Sequence, residues 1–148
     1  MRENRPTSPS ALRDLGLRLR ELKPEGLFRE VYQINSANVI VKFPKGLDGR
    51  EHTRNEIRKL LRLRKFSVLR DHLPRLYYYD STHAVVVMEH YPRFERDGSI
   101  TREENQILAM GKLISKLITR VTKIHVTDIH DDNVHSNRGD AVIIDWGY

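Results

Sequence analysis

The sequence of 148 residues contains no cysteine. Disulfides, thiolate nucleophiles and cysteine-ligated metal centres are therefore excluded, and nothing points to an oxidising compartment. No apolar run approaches the roughly 20 residues needed to cross a bilayer, and the start of the chain lacks the apolar core of a secretory signal. The expectation is a soluble, cytoplasmic protein. No internal repeat and no composition break marks a second independent domain. Acidic residues are in deficit, 20 against 26 lysines and arginines, which gives a net charge of +6 and a sequence pI near 9.7. Such a balance suits a polyanionic partner (nucleic acid, an acidic membrane face or nucleotide phosphates) but also describes an ordinary solvated basic surface. With 39% hydrophobic and 31% charged residues, the chain is polar yet carries too much apolar periodicity for a disordered one.

What is present is a succession of short patterned segments. Residues 1–10 hold two prolines and two serines without apolar periodicity and read as a flexible arm. The leucines at 12, 15, 19 and 22 fit a helical face, while those at 15, 17 and 19 alternate as in a strand, so this segment admits both readings. Residues 31–34 and 39–43 are β-branched runs about a polar turn and predict a hairpin. Pro44, Lys45, Gly46, Asp48 and Gly49 predict a loop, followed by a helix that Thr53 and Glu56 would open as a capping box. Two further strands are expected around residues 76–79 and 84–88. A second capping box, Thr101 with Glu104, opens a helix whose stripe of Ile107, Met110, Ile114, Leu117 and Val121 reads as core.

The segment VTDIHDDNVHSNRGDAVIIDWGY is the richest in chemistry. It sets Asp128 and Asn133 on a loop after a helix and Asp145 at the end of an apolar β-run, across a turn. Phosphoryl transfer needs a carboxylate to orient or deprotonate an attacking hydroxyl, and hard oxygen ligands for magnesium on the nucleotide phosphates. These residue types also admit other readings. Asp and Asn are common turn residues. His125, His130 and His135 suggest a transition-metal site, but their five-residue spacing fits neither one helix face nor one strand face.

The segment resembles the catalytic loop and metal-binding motif of the protein-kinase-like superfamily, which includes eukaryotic-type protein kinases and the aminoglycoside and choline phosphotransferases. Asp128 with Asn133 five positions on fits the catalytic loop, and His130 is similar to the small-molecule branch. Asp145-Trp146-Gly147 resembles the Asp-Phe-Gly triplet with tryptophan at its centre. The resemblance implies that Lys42, at the end of its β-run, holds the α- and β-phosphates of ATP with Glu56 as its ion-pair partner. Glu56 also suits the capping role, and Glu51 competes for the ion-pair role. Glu89, His90 and Tyr91 would meet adenine through the backbone, Asn133 and Asp145 would bind Mg2+, and Asp128 would position the acceptor hydroxyl.

The likeness spans residues 26–148 and departs from the family pattern at two places. Gly26 stands where the middle glycine of the phosphate loop belongs, but Pro24 and Arg29 occupy the flanking glycine positions, so Arg29 is expected to supply charge to the phosphates. The chain also ends one residue after Gly147. The expected fold is therefore α+β, a protein-kinase-like bilobal domain over residues 11–148, with an N-lobe at 11–91 and a strongly reduced C-lobe at 92–148. The expected activity is an ATP- and magnesium-dependent kinase acting on serine or threonine of a protein partner, an acidic one if the basic face at 54–70 contributes. A small-molecule phosphotransferase and a pseudokinase acting as a binding module are the alternatives. The motif set gives no reason to invoke nucleic acid.

Overall fold

A computed structural model describes residues 7–22, 28–91, 102–124, 134–137 and 140–144. Two compact units divide these residues. One holds those up to Ile57 together with Arg75–His90, and the other holds Arg58–Pro74 and those from Tyr91 onward.

The first unit is an antiparallel sheet of five strands. A short helix, α1 (Pro9–Asp14), starts inside the stretch expected to be an arm, because the Ser8 hydroxyl accepts from the Ala11 amide at 3.2 Å and caps it. Strand β1 (Leu19–Leu22) follows, so the ambiguous leucines serve both patterns in turn. Strands β2 (Arg29–Ile34) and β3 (Val39–Pro44) form the expected hairpin. Its turn places Asn35 and Ser36 at φ 51° and 56°, the left-handed region that asparagine tolerates well. Strands β4 (Leu76–Asp80) and β5 (Val85–Glu89) complete the sheet in the order β1-β2-β3-β5-β4.

Register assigns the two faces. Tyr32 pairs with Val41 and Val41 with Val87, while Leu19 pairs with Ile34. These residues join Leu12, Phe43 and Val85 in one apolar cluster under α1. Val31, Lys42 and Val86 are register partners on the opposite face, with Ile40 and Met88. Both faces are covered, which is why β3 is apolar without alternation.

Helix α2 runs Gly46–Leu63 and corrects two expectations. The glycines read as a loop lie in its first turn, and Thr53 and Glu56 sit in its interior, fully buried, so they form no capping box. Gly46 enters the helix at φ 64°. Gly49 is required by proximity, since a Cβ there would lie 2.1 Å from the Phe28 carbonyl oxygen.

The second unit includes a 3-10 helix at Ser67–His72, helix α3 (Arg102–Thr122), and the hairpin of β6 (Val134–Asn137) and β7 (Asp140–Ile143). Gly111 lets α3 approach β6, because a Cβ there would press on the Val134 methyl carbons at 2.8 and 2.9 Å. Ala141 is held on both sides, its amide by the Met110 sulfur at 3.4 Å and its carbonyl by His72 Nδ1 at 2.9 Å. The buried face of α3 is Glu104, Ile107, Gly111, Ile114, Ser115, Ile118 and Thr122. The expected stripe is thus corrected: Leu117 and Val121 are exposed, with Leu113 beside them. Thr101, which would cap α3, lies outside the described residues.

Candidate active site

Lys42 owes its position to strand geometry. It lies in the central strand β3, between Val41 and Phe43, whose side chains go to the α1 face, so its own stem is directed to the other face. There α2 supplies Glu56, whose Oε1 lies 3.4 Å from Lys42 Nζ. Both side chains are buried, 8% and 0% exposed. A buried lysine is costly unless a carboxylate faces it, so their contact supports the placement of each.

Glu56 has a second cation. Arg29 Nη1 donates to the same Oε1 at 2.5 Å, and Arg29 is also buried. Arg29, expected to face phosphate, therefore has its guanidinium on Glu56. The signal for this was the strand period: Arg29 stands two before Val31, the register partner of Lys42, and so shares its face. Glu51, the competing carboxylate, is exposed on α2.

Near the end of β5 the backbone is already committed at several points. The Glu89 amide donates to the Arg75 carbonyl and the His90 amide to the Asn38 carbonyl, both at 2.9 Å. The Tyr91 carbonyl accepts from His135 Nδ1 at 2.5 Å, with Tyr91 and His135 both buried. This use of His135 on a backbone carbonyl was not legible in the sequence. Gly26, Asp128, Asn133 and Asp145 lie outside the described residues. Their neighbours in the chain are placed: Val134, following Asn133, is the register partner of Ile143, two before Asp145.

The basic face at 54–70 is partly spent on the chain itself. Arg54 donates to the Ser81 and Thr82 carbonyls at 2.9 and 3.2 Å, Arg62 to Thr122 at 3.2 Å, and Arg70 to Arg64 at 2.7 Å. In the β4–β5 turn, His83 binds Asp80 through its ring at 2.8 Å and its amide at 3.1 Å. Partial burial opposes ionisation of Asp80, and the His83 hydrogen bonds and charge overcome it, so the carboxylate ionises below its ordinary value.

A five-stranded antiparallel sheet carrying a buried lysine, with a helix presenting a glutamate to it, is a specific arrangement. The chain is similar in fold to an aminoglycoside phosphotransferase. One match is to the streptomycin–ATP–APH(2″)-IIa ternary complex, with a TM-score of 0.54 and 13% identity. It covers 93% of this chain and 68% of the other, and at that identity it shows the protein-kinase-like fold alone. No family model and no curated protein matches the sequence. Among the described residues, no helix is long and apolar enough to cross a membrane.

Proposed function

We propose that this protein is a phosphotransferase that moves the γ-phosphoryl group of ATP to a hydroxyl. The observation that carries the reading is the buried Lys42–Glu56 contact on the sheet of a protein-kinase-like fold. The neighbour's complex contains ATP, which supports the same nucleotide here.

The roles follow from the residue types. Lys42, oriented by Glu56, would hold phosphate oxygens. Its ammonium has three donors and can keep one on the carboxylate while turning others elsewhere. Adenine would be met near residues 89–91 by backbone groups other than the Glu89 and His90 amides and the Tyr91 carbonyl, which are engaged within the chain. Asn133 and Asp145 offer the hard oxygen donors that Mg2+ takes, and the metal would supply charge neutralisation on the phosphates. Asp128 would accept the proton of the acceptor hydroxyl. The kinase-like domain would take in residues 11–148, with its N-lobe at 11–91. A cytoplasmic location supplies the ATP.

For the acceptor, the first reading is a serine or threonine hydroxyl on a protein, an acidic one if the basic face at 54–70 takes part. A small-molecule alcohol is the second reading, supported by the streptomycin in the neighbour's complex and by His130. Incubation with labelled ATP and Mg2+, with cell lysate and with purified aminoglycosides, followed by separation of protein from small molecules, decides between them. Label in protein supports the first reading and label in the aminoglycoside the second. ATP with Mg2+ should also raise the melting temperature, because a ligand of the native state stabilises it by mass action. An unchanged melting curve at millimolar ATP with no label in either fraction refutes the function.

A further inference from the structure

Two consecutive residues at the start of β2 grip α2, and they do so on one helical face. Gly49, His52 and Glu56 stand at positions i, i+3 and i+7, which share a face. Phe28 occupies the first two. Its carbonyl oxygen accepts from the Lys45 amide at 2.7 Å and lies against Gly49 with no room for a Cβ. Its ring stacks on that of His52, with centroids 5.1 Å apart and planes 9° from parallel. Arg29 occupies the third, with its guanidinium on Glu56.

Two cations meet Oε1 of Glu56. Arg29 is at 2.5 Å and Lys42 at 3.4 Å from the same oxygen. The first is a short charge-assisted hydrogen bond and the second lies at the outer edge of hydrogen-bond range. Arginine's rigid, weakly hydrated guanidinium also suits a buried carboxylate better than an ammonium does. Arg29 stands where the glycine pattern of the related phosphate loops would have a glycine. In this chain that position carries a side chain that reaches the helix.

Resting on the phosphotransferase reading, we propose that Arg29 is a positioning residue of the site. It fixes Glu56, and through Glu56 the ammonium of Lys42, so that the start of β2 and α2 move as one piece. Its effect on the reaction is therefore expressed through Glu56 and not through a bond to phosphate.

The test is a mutant cycle on the full chain, read as kcat and KM for ATP with Mg2+. The variants are Arg29→Met, Arg29→Lys, Glu56→Gln and the double variant Arg29→Met/Glu56→Gln. Residues that act as a unit are non-additive. Arg29→Met should lower kcat/KM on the order of 10²-fold, as misplacement of a site group does. Arg29→Lys should recover part of that loss, and the double variant should be no slower than Glu56→Gln. A further loss in the double variant, appearing as a raised KM for ATP, would mean that Arg29 binds phosphate itself and would overturn the proposal. Wild-type kinetics in Arg29→Met would overturn it too. If Arg29→Met does not fold, Glu56→Gln against the double variant, where no carboxylate is left to bury, gives the same decision. Failure of native protein to bind or turn over ATP removes the phosphotransferase reading and this proposal with it. An active native enzyme with additive variants removes this proposal alone.

Discussion

Gly49→Ala separates the tertiary reading of α2 from helix propensity. In a solvated helix interior, alanine is more favourable than glycine by about 1 kcal/mol. At Gly49 the new methyl would lie 2.1 Å from the Phe28 oxygen, 3.2 Å from its carbonyl carbon and 3.3 Å from the Pro44 carbonyl carbon. Ordinary contacts are near ~3.5 Å. The overlap is with backbone on both sides, which no side-chain rotation relieves. Overpacking of this kind costs ~1–3 kcal/mol, and a backbone clash belongs at the upper end. Subtracting the propensity gain leaves a net loss of about 2 kcal/mol. For a chain of this size that lowers Tm by about 4–8 °C. Thermal unfolding monitored by circular dichroism reads it. Leu47→Ala, at an 84% exposed position in the same turn, is the control and should stay within about 0.5 kcal/mol of wild type. The displaced Phe28 carbonyl should also loosen the seat of Glu56, so the ATP-induced rise in Tm should shrink. A Gly49→Ala variant more stable than wild type would refute the placement of β2 against α2.

Two further outcomes follow from the same unit. Asp80 ionises below its ordinary 3.8, so its contribution to stability is complete above that value and is lost as pH falls through the lower folded one. His83→Ala should raise the Asp80 pKa in a carbon-13 carboxyl titration and remove that part of the acid dependence of urea unfolding; an unmoved titration would refute the pairing. Thr53 is fully buried in α2, and among the described residues its hydroxyl meets no hydrogen-bond partner. Thr53→Val should therefore be neutral or stabilising by up to about 1 kcal/mol, and a loss of more than that in denaturant unfolding would reveal a bond to the hydroxyl.

Strands were more legible in the sequence than helix limits. The β-branched runs that became β2, β3 and β5 have a short period and polar turns at both ends, so few alternatives compete. The start of α2 was obscured because Gly46 and Gly49 mark loops in local terms, and only the nearness of Phe28 explains a glycine inside the helix. Thr53 and Glu56 matched a capping pattern by chance of spacing, while burial assigned Glu56 to Lys42 and Arg29. In α3 the apolar residues cover more than one face. Choosing Leu117 and Val121 over Ile118 and Gly111 therefore needed to know where β6 lies. Within the site, Lys42 and Glu56 were legible as a motif, and Arg29 was legible only as a charge. Its partner depends on strand register, which sequence spacing sets only once the pairing is known.

The most direct measurement of the central claim is transfer of the γ-phosphoryl group from labelled ATP in the presence of Mg2+, comparing native protein with Asp128→Asn. The account predicts label on a hydroxyl acceptor with the native protein. In the variant it predicts a loss on the order of 10²–10⁴-fold, the contribution of a positioned acid or base, with the ATP-induced rise in Tm retained. Equal transfer by Asp128→Asn, or no transfer by native protein to any protein or small alcohol, would contradict it.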